Sequence, residues 1–260
     1  MLIQRLGILH LSEDSCRLLA QRVYCAGFAM LLILSEVFSS NIQSTLPTLS
    51  TLFRVGLTGC GVLLLLAKCV FLTRYETKAQ WGLLAAVIGY TGFAALYGDD
   101  HWFLLAALVG LGAKDVDLRQ AVKVFLAVTA AGLVLVQLLH YTTPLVPFKY
   151  YCRNWDYGYG HYNGYGARLI GVFFAWGWLR WPRPRWYDWA GLTALLLYTM
   201  FVPICRGAGG AMILLLLLFA LQKLLPRFFE SRIYHGLLLA VYPLLTVFSV
   251  LAGYFFDPMV

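Results

Sequence analysis

Long apolar runs, broken by short polar clusters, make up nearly the whole of this chain. A helix needs about 20 apolar residues to cross roughly 30 Å of hydrocarbon. Segments that approach that length fall at 19–38, 53–72, 81–97, 101–113, 121–140, 166–180, 187–204, 208–225 and 235–256. The fourth is the shortest, since Trp102 to Ala113 alone would reach only about 18 Å. The pattern predicts an all-α fold, a polytopic membrane helical bundle of about nine spans. It reads as a single transmembrane domain over 1–260 with its N-terminus inside. Arg5, Glu13, Asp14 and Arg17 interrupt the opening residues, which therefore read as an amphipathic cytoplasmic stub rather than a cleavable signal.

Composition agrees: 61% of the 260 residues are hydrophobic and 12% charged, against about 25% charged in soluble domains. The net charge of +8 would suit nucleic acid were it not for where it falls. With the N-terminus inside, the predicted outer side holds only Arg54, Lys149, Arg153, Arg168 and Arg206 of the 20 Lys and Arg. The rest, Lys68 and Lys114 among them, mark cytoplasmic ends. That is the positive-inside asymmetry, and it removes the need for a nucleic-acid partner. The basic inner turn RWPRPRW, Arg180 to Trp186, reads as an interfacial anchor. Six cysteines show no metal-ligand spacing and default to free thiols. Cys152 and Cys205, both outside, are the pair that an oxidising compartment could bridge.

Polar groups at depth are few. Intramembrane ionisable side chains are costly unless paired, so Glu36 is expected to pair with Arg54 across a short outer hairpin. Asp99, Asp100 and His101 read as a solvated turn rather than a metal site. The exception to the short loops is 141–165, the expected functional loop. Its second half is CRNWDYGYGHYNGYGAR, Cys152 to Arg168. Arginine forks suit phosphate because they donate bidentate hydrogen bonds and stay charged. Arg153, Arg168 and Arg206 share the predicted outer side and form a candidate receptor for a lipid diphosphate. His161 could accept a proton near neutral pH, Asn163 could orient a hydroxyl, and Tyr157 and Tyr159 offer faces for a sugar ring.

These residues resemble the Wzy-type polysaccharide polymerases of capsule, exopolysaccharide and O-antigen clusters, the Gram-positive kind most closely. The features that carry the resemblance are Arg153, the run Tyr157 to Gly160, His161-Tyr162-Asn163 opening a span, and Cys205-Arg206 opening another. The upstream segment LVGLGAKDVDLRQAVKVFLAVTAAGLVLVQLL shares the family's look, so the resemblance covers roughly residues 80 to 225. It implies an inverting, metal-independent, cofactor-free membrane glycosyltransferase at the cell membrane. Undecaprenyl-diphosphate-linked glycans would be its substrates, with membrane lipid, a flippase and a chain-length regulator as partners. Arg153 and Arg206 would hold diphosphate, and His161 and Asn163 would line the reaction centre. The sequence departs from the pattern at Tyr162, where proline is usual, and at Cys205, where a hydroxyl residue is usual. Family members also usually run on beyond a ninth span. The alternative reading is a non-catalytic membrane component of polysaccharide assembly or export; a ligase would share the same fold class.

Overall fold

The computed structural model describes residues 12–98, 102–151, 154–181, 183–234, 236–237 and 239–241. Helix α1, Glu13–Ile33, starts where Ser12 Oγ accepts from the Ser15 N–H at 3.3 Å, a side-chain N-cap. It runs on into a π turn, Leu34–Phe38. A single turn, α2 (Ile42–Thr45), leads to α3, Pro47–Ala67. Pro47 sits in the first turn of α3, where its missing N–H costs nothing. This helix also ends in a π turn, Lys68–Leu72. Then come α4 (Lys78–Tyr97), α5 (Trp102–Gly112) and α6 (Leu118–Thr142), the last capped by Asp117. A two-residue hairpin follows, β1 (Tyr150–Tyr151) against β2 (Asn154–Trp155), with Tyr150 opposite Trp155. Helices α7 (Tyr162–Arg180), α8 (Trp186–Phe201), α9 (Arg206–Leu224) and α10 (Pro226–Phe229) complete the named elements.

Among the described residues, five stretches are long and apolar enough to cross a membrane: Glu13–Phe38, Pro47–Leu72, Lys78–Tyr97, Leu118–Thr142 and Arg206–Leu224. They correspond to the first, second, third, fifth and eighth predicted spans. The fourth is a helix of only 11 residues. The sixth and seventh are helices of 19 and 16 residues that fall below the same measure of length and apolarity. The ninth lies mostly outside the described residues. Large apolar side chains face outward on the long helices, with Leu63 67%, Leu96 83% and Val134 66% exposed. Together with the length of these helices, such apolar surface is compatible with a multi-pass membrane protein.

The chain divides into two compact units, Met1–Gly209 and Gly210–Val260. In the first, Tyr24, Leu31, Leu65, Leu105, Leu108 and Ala121 form a core drawn from α1, α3, α5 and α6. Helices α1 and α3 cross closely. A Cβ on Gly27 would lie 3.1 Å from the Gly61 carbonyl oxygen, so these glycines let the backbones meet. In the second unit, the rings of Phe229 and Tyr234 lie 4.7 Å apart.

Each π turn holds a buried charge. Lys68 is fully buried and donates its Nζ to the Lys114 carbonyl. That contact gathers the 113–117 elbow beside the start of α1, where Gln21 accepts from the Asp117 N–H at 2.7 Å. Glu36 occupies the other π turn, at the far end of α1, where the candidate site lies.

Candidate functional site

The loop after α6 is organised around Asp156, which is fully buried. Its Oδ1 accepts from the backbone N–H groups of Lys149 and Gly158, at 2.8 and 3.0 Å. Its Oδ2 accepts from Asn41 Nδ2 at 2.7 Å. Asn41 also donates Nδ2 to the Pro147 carbonyl and its own N–H to the Gly158 carbonyl, both at 2.7 Å. A buried carboxylate is tolerable when its oxygens are satisfied in this way. Gly158 has φ +85°, and a Cβ there would press within 2.9 Å of Val136 and Val146. Behind it, the His140 ring stacks on Phe148 at 3.5 Å. The loop is thus fastened to the α1–α2 junction rather than free above the helices.

Arg168, on the second turn of α7, reaches into the π turn of α1. Its Nε donates to Glu36 Oε2, its Nη2 to the Ser35 carbonyl (both 2.8 Å) and its Nη1 to the Gly164 carbonyl (2.9 Å). Its face lies 4.2 Å from the Tyr159 ring centroid. The expected Glu36–Arg54 pairing is therefore incorrect: Glu36 pairs with Arg168, while Arg54 donates to Gln43 Oε1 at 3.1 Å. The physical reason is depth, since Arg54 stays exposed at the start of α3 and cannot neutralise a buried carboxylate. Gly132 on α6 makes room for Glu36, whose Cβ would lie 2.6 Å from any Cβ added there.

The predicted loop boundary moves, because Tyr162 to Tyr165 form the first turn of α7. His161 caps that helix: its Nδ1 accepts the Asn163 N–H at 3.0 Å. Asn163 is exposed, and its Oδ1 lies 3.4 Å from Cys205 Sγ. Cys205 is buried as a free thiol, and Arg206 follows it, exposed, at the start of α9. No hydrogen bond or ion pair to the Arg206 guanidinium is present among the described residues. Tyr157 donates its hydroxyl to the Val202 carbonyl at 3.0 Å, and the hydroxyls of Tyr165 and Tyr198 lie 3.0 Å apart. These bonds join the loop and α7 to α8.

Burial pushes the Tyr159 phenol well above its ordinary value; Glu36 adds to the rise and Arg168 opposes it. Burial also raises Tyr157, with Tyr198 and Tyr141 adding to it. Both stay protonated, and Tyr159 offers no free face to a sugar. Tyr159 is 8% exposed and lies between Arg168 and Tyr165, and Tyr157 stacks on Tyr165 at 4.8 Å. They build the frame of the site.

The structure thus brings together Glu36, Tyr159 and Arg168 as one cluster. It also sets Asn163, on the turn that His161 caps, against Cys205, which Arg206 follows in the chain. Arg153, Cys152, Asp99, Asp100 and His101 lie outside the described residues. Among the described residues, no group of three or more His, Cys, Asp or Glu is placed to hold a metal ion. Sequence reading passed over Asp156 and Asn41. The signal for Asp156 was available: an aspartate two residues before a glycine in a turn-rich stretch often accepts backbone N–H groups. Nothing in the sequence pointed to Asn41. Compared with protein-family models, curated proteins and solved structures, the chain matches none of them.

Proposed function

We propose that this end of the bundle is a glycosyl-transfer site that extends a polysaccharide from undecaprenyl-diphosphate-linked repeat units on the outer face of the cytoplasmic membrane. One observation carries the reading. His161-Tyr162-Asn163 and Cys205-Arg206, the two motifs of the resemblance, meet where Asn163 Oδ1 and Cys205 Sγ lie 3.4 Å apart. Motifs separated by 42 positions would have no need to touch if each only began a helix.

In this reading, Arg206 receives the diphosphate of the donor, joined by Arg153. The acceptor sugar's hydroxyl oxygen attacks the anomeric carbon as the bond to the diphosphate breaks, and the hydroxyl proton passes to water. Arg206 then stabilises the charge left on the departing diphosphate. Asn163 orients the hydroxyl. His161 caps the same helix edge, with Nδ1 accepting the Asn163 N–H, and helps to position the acceptor sugar. Arg168 contributes support: Glu36 already offsets its charge, so it adds little net attraction for phosphate.

The experiment is a polymer ladder. Wild type and Arg206→Ala are expressed at matched membrane levels in a strain lacking the gene, and surface glycans are resolved by length. Wild type should restore the ladder and Arg206→Ala should leave single repeat units. If deleting the gene leaves the ladder intact, the chain is a non-catalytic component of the assembly machinery.

A further inference from the structure

At the turn between α7 and α8, two guanidinium groups converge on a single oxygen. Arg180 Nη2 donates to the Tyr187 hydroxyl at 3.0 Å, and Arg185 Nη1 donates to the same hydroxyl at 2.8 Å. Both groups lie beside the Tyr187 ring, at 5.8 and 5.7 Å from its centroid. The convergence is built rather than incidental. Asp188, 2% exposed, holds Arg180 by accepting Nε at 3.0 and 3.1 Å on its two oxygens. The same carboxylate accepts the Arg185 N–H at 2.9 Å and Trp176 Nε1 at 3.2 Å. One cation is thus locked in place, and the turn delivers the second to it.

Two like charges held on one neutral oxygen repel each other. Asp188 offsets one of them, because its side-chain contact is with Arg180 and not with the Arg185 guanidinium. Arg185 is exposed and keeps further N–H groups turned to solvent, next to a Trp186 that is 80% exposed. A single phosphate relieves the repulsion and satisfies both forks, since planar guanidinium groups match its oxygens. An apolar, exposed tryptophan alongside suits the glycerol and acyl region of a lipid.

We infer that Arg180 and Arg185 form a binding site for one phosphodiester anion, the headgroup of an acidic membrane lipid, with Trp186 lying against its apolar part. This goes further than an interfacial anchor. An anchor needs only positive charge, whereas this site needs the arginine fork at Arg185. It is independent of the glycosyl-transfer reading.

The test uses the full chain purified in a neutral detergent. Short-chain phosphatidylglycerol and phosphatidylcholine are the probes, and retained lipid is counted by native mass spectrometry. Wild type should retain phosphatidylglycerol in preference to phosphatidylcholine. Arg185→Gln should weaken retention about tenfold. Arg185→Lys, which keeps the charge and loses the fork, should weaken it several-fold. Arg119→Gln removes an exposed charge elsewhere and should change nothing. Displacement by millimolar inorganic phosphate would assign the site to a soluble phosphate, and resistance would assign it to the lipid. Equal retention of the two lipids, wild-type behaviour of Arg185→Lys, or equal loss in Arg119→Gln would each overturn the proposal.

Discussion

Glu36 and Arg168 stand 132 positions apart and close an ion pair of 2.8 Å, with side chains only 6% and 18% exposed. Removing one partner from a buried pair leaves an uncompensated charge, which costs about 3–5 kcal/mol. Arg168→Met alone should therefore destabilise the protein by that order, as should Glu36→Ala. The Glu36→Gln/Arg168→Met double variant should recover a large part of the loss, since neither charge remains. A double-mutant cycle in denaturant titrations of detergent-solubilised protein checks this. Additive effects would mean that the two groups do not depend on each other.

The Asn41–Asp156 contact makes a prediction about the loop. Asn41→Ala leaves Asp156 Oδ2 without its donor and frees the Gly158 region from α2. The expected cost is about 1.5–3 kcal/mol, the range for hydrogen bonds to charged groups. Limited proteolysis should cut the variant between residues 143 and 161 faster than wild type, with the helices still protected. Unchanged cleavage would show that the loop is held by other means.

Tyr159 combines a buried hydroxyl lacking a hydrogen-bond partner with a phenol pushed up by burial. Above the unfolded value of about 10, the unfolded chain loses this proton while the folded one keeps it. Stability should therefore fall as pH rises past about 10, by roughly 1.4 kcal/mol per unit for this group. Tyr159→Phe should be at least as stable as wild type at pH 7. From pH 10 to 11 it should also show a shallower decline. Parallel declines in the two proteins would refute the assignment.

Packing at the α7–α9 contact can be tested with one methyl group. A Cβ on Gly166 would meet Cys205 Sγ within van der Waals distance, whereas one on Gly207 would meet nothing within 4 Å. Gly166→Ala should cost about 1–3 kcal/mol by overpacking. Gly207→Ala should be neutral or stabilising by up to about 1 kcal/mol, as expected for a helical glycine. Thermal unfolding of the two variants side by side measures the difference. If Gly166→Ala proves silent, the Cys205 side chain has room to move aside.

The helices were legible because their apolar runs are long, and their starts shift for local reasons. Helix α3 begins at Pro47 rather than near 53, since the proline admits an extra turn before the apolar run. Helix α6 begins at Leu118 because Asp117 supplies a cap. The pairing of charges was not legible. Sequence proximity favoured Arg54 for Glu36, while the true partner depends on how α7 packs against α1 and α6. The burial of Lys68 left no trace in the sequence either, because it depends on the approach of the 113–117 elbow. At the site, His161, Asn163 and Arg206 were singled out from residue type, and the structure adds the Asn163–Cys205 contact. That Tyr157 and Tyr159 serve as internal struts follows from stacking, which leaves no periodic trace in a loop.

The π turn at Leu34–Phe38 has the geometry of one surplus residue in a helix. Deleting a single position there, such as Val37, would restore ordinary helical hydrogen bonding and give α1 a more regular end. Each later position would then turn by about 100° around the axis. Asn41 would swing away from Asp156, and the loop would lose its mooring while the helix itself became more regular. The irregularity thus works as a shim: one extra residue sets the angle at which two distant parts of the chain meet.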